Sequence, residues 1–85
     1  MKLAPDEMTP IIKRMKRAHG HLASVIRMLE GGSDCEAVLT QLAAVNKALS
    51  RSGYAIVANG LQQCLAGGSD TTDLAKMEKL FLSLA

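Results

Sequence analysis

Apolar residues recur at alternating steps of four and three along the first third of the chain, which is the spacing of one helix face. The residues in this pattern are Ile11, Met15, Ala18, Leu22, Val25 and Leu29. Thr9 before Pro10 is typical of an N-cap followed by proline in the first turn, and a glycine pair at 31–32 is typical of a helix end. The pattern predicts a first helix over about residues 9–31, preceded by a loose arm over residues 1–8.

A longer helix is predicted next. Ser33 and Glu36 have the spacing of a capping box, so we expect the second helix to cover about residues 33–65. Its predicted apolar face consists of Val38, Leu42, Val45, Leu49, Ile56 and Leu61, widened by Leu39 and Val57. Gly53 and Gly60 are unfavourable inside a helix, so this helix should depend on tertiary packing.

A third, shorter helix is predicted over about residues 71–84, after a break at 67–69 and a cap at Asp70 or Thr71. Its predicted buried face consists of Leu74, Met77, Leu80, Phe81 and Leu84. Because no stretch favours a strand, the predicted fold class is all-α, with the first two helices forming a hairpin. Two hairpins paired about a two-fold axis would make an antiparallel four-helix bundle.

The 85 residues suffice for one domain, over residues 1–85, but not for a deep core, and the aromatic residues are only Tyr54 and Phe81. We therefore expect the chain to bury surface by forming a homodimer or homotetramer. The sequence has no signal peptide and no apolar run near the roughly 20 residues of a membrane span. Two cysteines in such a chain favour a cytoplasmic protein with reduced thiols and no membrane partner.

The cysteines, Cys35 and Cys64, are 29 residues apart. In one helix they would lie within about 20° of the same stripe but roughly 44 Å apart, whereas a disulfide needs Cα atoms within about 7 Å. If a second copy lies antiparallel, with the two-fold axis near Leu49 and Ser50, Cys35 of each chain faces Cys64 of the other. The spacing therefore predicts two equivalent dithiol sites shared between subunits. Because Cys35 lies at the predicted start of a helix, where the helix dipole favours the thiolate, we expect Cys35 to react and Cys64 to resolve the product.

Other roles for the thiols remain open at this point, including that of small buried apolar side chains. Two thiolates can hold Cu(I) linearly, whereas a trigonal copper site needs a third donor and zinc needs two more. His19 and His21 lie on the first helix among basic residues and do not pair with a cysteine in sequence. We predict no cofactor and no metal; if copper binds after all, Cys35 and Cys64 would hold it.

A stretch of one charge sign lies on the first helix. Five basic residues and no acidic residue fall between Lys13 and Arg27, although the net charge of the chain is only +2. Such a stretch is commonly a solvated helix face, but repeated in an oligomer it would match the phosphates of duplex DNA. The candidate DNA-binding residues are Arg14, Lys16, Arg17 and Arg51, with His21 on the same face as Arg14 and Arg17. No nucleophile and base, carboxylate pair or phosphate loop is present, so we predict that the protein is not an enzyme.

Several motifs together resemble the CsoR/RcnR/FrmR family of bacterial repressors. They are the segments 14–21 (RMKRAHGH), 29–31 (LEG) and 39–45 (LTQLAAV), together with Cys35 and Cys64. The resemblance covers about residues 10–84. It implies an all-helical, disc-shaped dimer of dimers that binds operator DNA and is released by inducer chemistry at an intersubunit cysteine site. It also implies that Arg14 and Arg51 occupy DNA-contact positions.

The sequence departs from the family pattern at two positions. Copper sensors of the family have a histidine four residues before the last cysteine, where this chain has Gly60, and His21 stands where the family usually has glutamine. Two cysteines without that histidine are similar to the CstR branch, whose members respond to persulfides and polysulfides by linking the cysteines through di-, tri- or tetrasulfide bridges. The leading hypothesis is a repressor that senses reactive sulfur species. The alternatives are a Cu(I)-responsive repressor and a thiol partner protein without a DNA role.

Overall fold

The computed structural model describes residues 2–66 and 71–84, and the side chains of residues 2–63 and 73–84. A 3-10 turn, Pro5–Met8, leads into three helices: α1 (Thr9–Glu30), α2 (Cys35–Ala66) and α3 (Thr71–Leu84). No strand occurs among the described residues. The prediction of an all-α fold with three helices is confirmed. The predicted helix break at 67–69 and the cap at Asp70 lie outside the described residues.

The start of the chain is more ordered than the predicted loose arm. Residues Pro5–Met8 form a 3-10 turn, and the side chain of Met8 is buried. The N-cap of α1 is Met8, which makes no side-chain capping bond, so the prediction of Thr9 as the cap was wrong. The reason is that the 3-10 turn already brings the backbone into helical geometry before Thr9. The Thr9 hydroxyl instead donates to the carbonyl oxygen of Asp6 at 3.2 Å.

The glycine pair ends α1 as predicted, through a Schellman motif. The N–H of Gly32 donates to the carbonyl oxygen of Leu29 at 3.2 Å, and the N–H of Ser33 donates to that of Met28 at 2.9 Å. Gly32 has a φ of 73°, a left-handed conformation that side chains disfavour. The turn therefore requires glycine at this position.

Asp34, not the predicted Ser33, caps α2. Its carboxylate oxygen Oδ2 accepts from the backbone N–H groups of Glu36 at 3.1 Å and Ala37 at 3.3 Å. The N–H of Ser33 already donates to the carbonyl oxygen of Met28, so it is not free to donate to the Glu36 carboxylate as the predicted capping box requires. The N-cap lies one residue later than predicted, without the reciprocal bond of a capping box, and Cys35 remains in the first turn of α2.

Helices α1 and α2 pack as a hairpin along positions seven residues apart. The buried residues at these positions are Ile11, Ala18 and Val25 on α1, and Val38, Val45 and Ser52 on α2. Val25, Val38 and Val45 form one cluster, with Met28 and Leu42 packed against it. The hydroxyl of Ser52 donates to the carbonyl oxygen of Ala48 at 3.0 Å, so its burial leaves no unpaired polar group.

The other half of the predicted apolar face is exposed in the single chain. The residues predicted to be buried but found exposed are Met15, Leu22, Leu29, Leu39, Leu49, Leu61, Leu80, Phe81 and Leu84. The chain has an accessible surface of 6260 Å², whereas a folded monomer of 9.0 kDa has about 4,850 Å². The hairpin covers only one edge of each stripe on α1 and α2, so the burial of these residues stays a prediction that depends on the expected oligomer.

Helix α3 packs on α2 at the two α2 glycines. A Cβ added to Gly60 would lie 3.0 Å from Cε of Met77, and a Cβ added to Gly53 would lie 3.1 Å from Cδ1 of Leu84. The rings of Tyr54 and Phe81 also meet between these helices, with centroids 5.5 Å apart. The glycines therefore permit a close approach of α3, which is the tertiary packing that the sequence led us to expect.

Candidate nucleic-acid interface and sensor thiols

Three of the candidate DNA-binding residues border one groove between α1 and α2. Arg14 and Arg17 come from α1 and Arg51 from α2, and His21 also lines the groove, whose volume is about 390 Å³. They meet because residues 14, 17 and 21 share one face of α1, and the hairpin brings the middle of α2 against that face. Two alanines, Ala18 and Ala48, complete the lining. A concave surface with three guanidinium groups is suited to an anion that has several oxygen atoms.

The other candidate, Lys16, is exposed on α1 and is not among the residues that line this groove. His19 is likewise exposed on α1 and lies outside the groove lining. Both side chains are close in sequence to the groove residues but point to other parts of the helix surface. The structure therefore separates Lys16 from the three arginines.

His21 forms a hydrogen bond with Gln41, a residue that the sequence analysis did not single out. Its Nε2 lies 2.6 Å from the side-chain oxygen Oε1 of Gln41 on α2. The two residues are 20 positions apart, so no local pattern links them; only the register of the hairpin does. This bond fixes the orientation of the imidazole at the edge of the groove.

The charges near the groove have one sign. The sequence has no acidic residue between Glu7 and Glu30, or between Glu36 and Asp70. None of the six residues that line the groove is acidic. An approaching polyanion therefore meets positive charge that is not neutralised by carboxylates within the groove.

Cys35 has an exposed side chain and is a free thiol in the first turn of α2. Cys64 lies on the last two turns of the same helix, and its side chain is outside the described part of the structure. Because α2 is one continuous helix of 32 residues, the two cysteines of one chain are at opposite ends, about 44 Å apart. A disulfide or polysulfide bridge between Cys35 and Cys64 must therefore join two different chains.

The segment next to Cys64 is tied to the start of the chain. Oε2 of Glu7 accepts from Nδ2 of Asn59 at 3.4 Å and from Nε2 of Gln63 at 3.2 Å. Nε2 of Gln63 also donates to Oδ1 of Asn59 at 2.8 Å. The two contacts of Glu7 were not predicted, because they join residues more than 50 positions apart.

With this geometry established, comparison with known proteins identifies the family. The family model described as metal-sensitive transcriptional repressor matches residues 7–83, which is nearly the whole chain. The chain belongs to this family. The resemblance to CsoR-type repressors is confirmed at the level of the family. Members of this family are transcriptional repressors, so the prediction that the protein is not an enzyme is also confirmed.

The chain is also similar to curated transcriptional repressors. The copper-sensing transcriptional repressor CsoR of Mycobacterium ulcerans (strain Agy99) is 38% identical over 61 residues, which cover 72% of this chain and 52% of that protein. CsoR of Mycobacterium tuberculosis (strain ATCC 25618 / H37Rv) is 34% identical over 55 residues, which cover 65% of this chain and 46% of that protein. The chain thus spans about half the length of the curated relatives it matches. No solved structure matches it, and among the described residues no helix has the length and apolar character required to cross a bilayer.

The family name implies a metal, and the described residues do not supply a complete set of donors for it. Position 60 has no side chain, and an added Cβ would already lie 3.0 Å from Met77. His21 is bonded to Gln41 and lines the arginine groove. Within the described residues of one chain, no three His, Cys, Asp or Glu side chains come together as a metal-binding group. Position 60 therefore offers no third donor beside the thiols in the described part of one chain.

Proposed function

We propose that this protein is a homo-oligomeric repressor that binds operator DNA and releases it when reactive sulfur species bridge Cys35 of one subunit to Cys64 of another. The DNA-binding part rests on one observation, the groove in which Arg14, Arg17 and Arg51 converge without an acidic neighbour. The sensing part rests on the exposed Cys35 and the absence of a donor at position 60.

The exposed apolar surface supports assembly. The chain exposes about 1,400 Å² more than a compact monomer of its mass. Burying that area on each of two chains would give an interface of about 2,800 Å², within the range of obligate dimers. Met15, Leu22 and Leu29 lie seven residues apart on α1 and form the edge of the stripe that the hairpin leaves exposed. An antiparallel copy packed on this edge would complete the four-helix bundle, and two such dimers would form the tetramer.

The DNA contact is tested by the salt dependence of binding. The probe is a labelled duplex selected by the wild-type protein from a random-sequence pool. Each phosphate contact contributes about 0.9 to the slope of log K against log salt. Arg14→Ala and Arg51→Ala should each weaken binding and lower this slope by about 0.9 for every groove that contacts the duplex. Lys79→Ala, an equal charge change on α3, is the matched control and should leave the slope unchanged.

The same variants test the alternative that the protein is a thiol partner protein without a DNA role. A thiol partner protein without a DNA role would bind no selected duplex in a salt-dependent manner. Its function would also survive both arginine substitutions. Loss of binding in Arg14→Ala and Arg51→Ala, with Lys79→Ala intact, excludes that alternative.

The proposed sensing reaction proceeds in two balanced steps. The Cys35 thiolate attacks the terminal sulfur of a small-molecule persulfide, RSSH, which gives a Cys35 persulfide and releases RS⁻. The Cys64 thiolate of the neighbouring subunit then attacks the inner sulfur of that persulfide, which forms the disulfide and releases HS⁻. When the first attack falls on the central sulfur of H₂S₃, HS⁻ leaves and the same second step gives a trisulfide. No separate oxidant is needed, because the sulfane sulfur is reduced as the thiols are oxidised.

Closing the bridge would free the protein from DNA by changing the relative position of two α2 helices. Each bridge joins the first turn of one α2 to the last turns of another, so the two equivalent bridges together constrain both ends of both helices. Arg51 lies on α2 between these ends and borders the groove. A shift of α2 against α1 would therefore change the spacing of Arg51 from Arg14 and Arg17 and disfavour the DNA-bound arrangement.

Mass spectrometry of the polysulfide-treated protein tests the chemistry. We expect linked chains in which Cys35 of one subunit is joined to Cys64 of another, with zero to two additional sulfur atoms. Chains that remain unlinked, or that are modified only one at a time, would refute the intersubunit bridge.

Mixing two single-cysteine variants tests the subunit arrangement directly. Neither Cys35→Ser nor Cys64→Ser can form a Cys35–Cys64 bridge alone. In a co-assembled mixture, the Cys35 of one variant would face the Cys64 of the other at one of the two sites, while the second site would have no thiol. Treatment with polysulfide should therefore link the two variants to each other in the mixture. Failure of the mixture to link, when the wild type links, would contradict the antiparallel arrangement.

A Cu(I)-responsive repressor is the second candidate, and the copper-sensing names of the relatives favour it. The missing donor at position 60 argues against it, because two thiolates alone give Cu(I) only linear coordination. Titrating the DNA complex with polysulfide, peroxide and Cu(I) in turn separates the candidates. Release by polysulfide at concentrations where Cu(I) has no effect supports sulfur sensing, and the opposite order supports copper sensing.

A further inference from the structure

His21 is the one residue lining the arginine groove whose side chain exists in both a neutral and a charged form. The guanidinium groups of Arg14, Arg17 and Arg51 remain charged throughout the physiological range. His21 lines the same groove and is half-buried, so its ring is adjacent to any phosphate that the arginines hold. The protonation state of this one side chain therefore determines whether the groove offers three positive charges or four.

The bond to Gln41 determines which ring nitrogen carries a hydrogen. Nε2 of His21 lies 2.6 Å from Oε1 of Gln41, and an amide oxygen can only accept a hydrogen bond. Nε2 must therefore be the donor, and in the neutral ring Nδ1 is left with a lone pair and no hydrogen. A phosphate oxygen also only accepts, so neutral His21 cannot bind it through Nδ1. The imidazolium form, by contrast, donates from both nitrogens.

We propose that His21 is a phosphate ligand of the DNA groove that binds only in its protonated form, so that DNA binding takes up a proton at each groove that engages the duplex. This inference rests on the proposed DNA-binding function and adds a fourth ligand to it. In the complex, Nε2 donates to Gln41 and Nδ1 donates to a phosphate oxygen. The affinity for DNA then increases as the pH falls.

The surroundings of His21 favour the coupling of proton uptake to phosphate binding. The charged groups that share the groove with it are Arg14 and Arg17 from α1 and Arg51 from α2, and no carboxylate lines the groove. A phosphate seated there lowers the local positive potential, so it favours the imidazolium in the complex relative to the free protein. Proton uptake and phosphate binding therefore strengthen each other.

The test is the pH dependence of duplex affinity at constant ionic strength. The probe is a labelled duplex of mixed sequence, because phosphate contacts do not depend on sequence. Across the physiological pH range, the dissociation constant of the wild type should rise with pH, by at most about tenfold per pH unit for each linked proton. His21→Gln supplies an amide donor that needs no proton, so its affinity should be nearly independent of pH over this range. His19→Gln is the matched control on the exposed part of α1 and should keep the wild-type profile.

Gln41→Leu separates a ligand role from a structural one. Without the amide oxygen, the neutral ring is free to place its hydrogen on Nδ1 and donate it to the phosphate. The histidine remains, but the pH dependence should flatten. A merely structural contact between His21 and Gln41 would change the affinity at all pH values alike and leave the slope with pH unaltered.

The outcomes distinguish this inference from the proposed function. If the wild type binds the duplex with a steep salt dependence but His21→Gln keeps the wild-type pH slope, the DNA-binding function stands and the role of His21 is refuted. If the wild type shows no salt-dependent binding to any duplex, the proposed function itself fails. A flat pH profile in His21→Gln together with a wild-type profile in His19→Gln supports the proposal.

Discussion

Replacing Gly60 by histidine would place the side chain of copper-sensing members at the contact between α2 and α3. The helix itself gains about 0.3 kcal/mol from the loss of a glycine, since histidine is a better helix former. Against this gain, the new Cβ would lie 3.0 Å from Cε and 3.5 Å from Sδ of Met77, and 4.0 Å from Cδ2 of Leu3. An imidazole added beyond that Cβ overpacks the contact, which typically costs about 1–3 kcal/mol. We therefore expect Gly60→His to lower the free energy of unfolding by about 1–2 kcal/mol.

Urea unfolding followed by helical circular dichroism at a fixed protein concentration measures this change. Two alanine variants are the controls. Gly20→Ala adds a Cβ that meets nothing within 4 Å in the chain, so it should show the full gain of about 1 kcal/mol in helix stability. Gly60→Ala must displace the end of the flexible Met77 side chain, so its gain should be smaller. Pairing Gly60→His with Met77→Ala should relieve the crowding, so the double variant should be more stable than the sum of the two single effects.

If Gly60→His unfolds at the same or a higher urea concentration than the wild type, with an unchanged slope, then Met77 does not close position 60. The argument that α3 excludes a third donor from this site would then fail. The case for sulfur over copper would be correspondingly weaker.

Three other substitutions test the hairpin and its assembly. Asp34→Ala removes the side-chain cap of α2 and should cost about 1 kcal/mol in thermal unfolding, whereas Ser33→Ala should have almost no effect because its side chain caps nothing. Val45→Ala opens a cavity at a side chain that is 1% exposed, and it should cost about 2–3 kcal/mol in urea unfolding; a negligible cost would contradict its place in the core. Leu22→Glu charges the exposed stripe of α1 and should reduce the oligomer mass measured by light scattering while helix content is retained. An unchanged mass would show that this stripe is not the interface.

Local signals along the chain sufficed to predict the helices. The glycine pair that ends α1 works through backbone conformation, and the left-handed φ of Gly32 is a property that few other residues provide. The apolar period of α1 likewise required no knowledge of the fold. The position of the cap was less predictable, because Ser33 and Asp34 are both good capping residues. The choice depended on Ser33 being used to close α1.

Features that depend on the register of the hairpin could not be predicted in this way. The sequence analysis named Arg51 as a candidate DNA-binding residue together with Arg14 and Arg17, but only the packing of α2 on α1 places all three at one groove. The bond between His21 and Gln41 has the same origin. The apolar period could not show which edge of each stripe faces the hairpin, because the periodicity of an internal contact and of a subunit contact is the same.

The separation of charge along the chain has a consequence for kinetics. Seven of the ten basic residues lie in the two stretches that have no acidic residue, and the acidic residues lie outside them. If the proposed DNA-binding function holds, a duplex that diffuses towards the protein is attracted to the middle of the hairpin and repelled near the loop that joins α1 and α2. Encounter is therefore oriented before contact, so the association rate should be high and fall steeply with ionic strength. A net charge of only +2 is thus compatible with a surface that is locally positive along the hairpin.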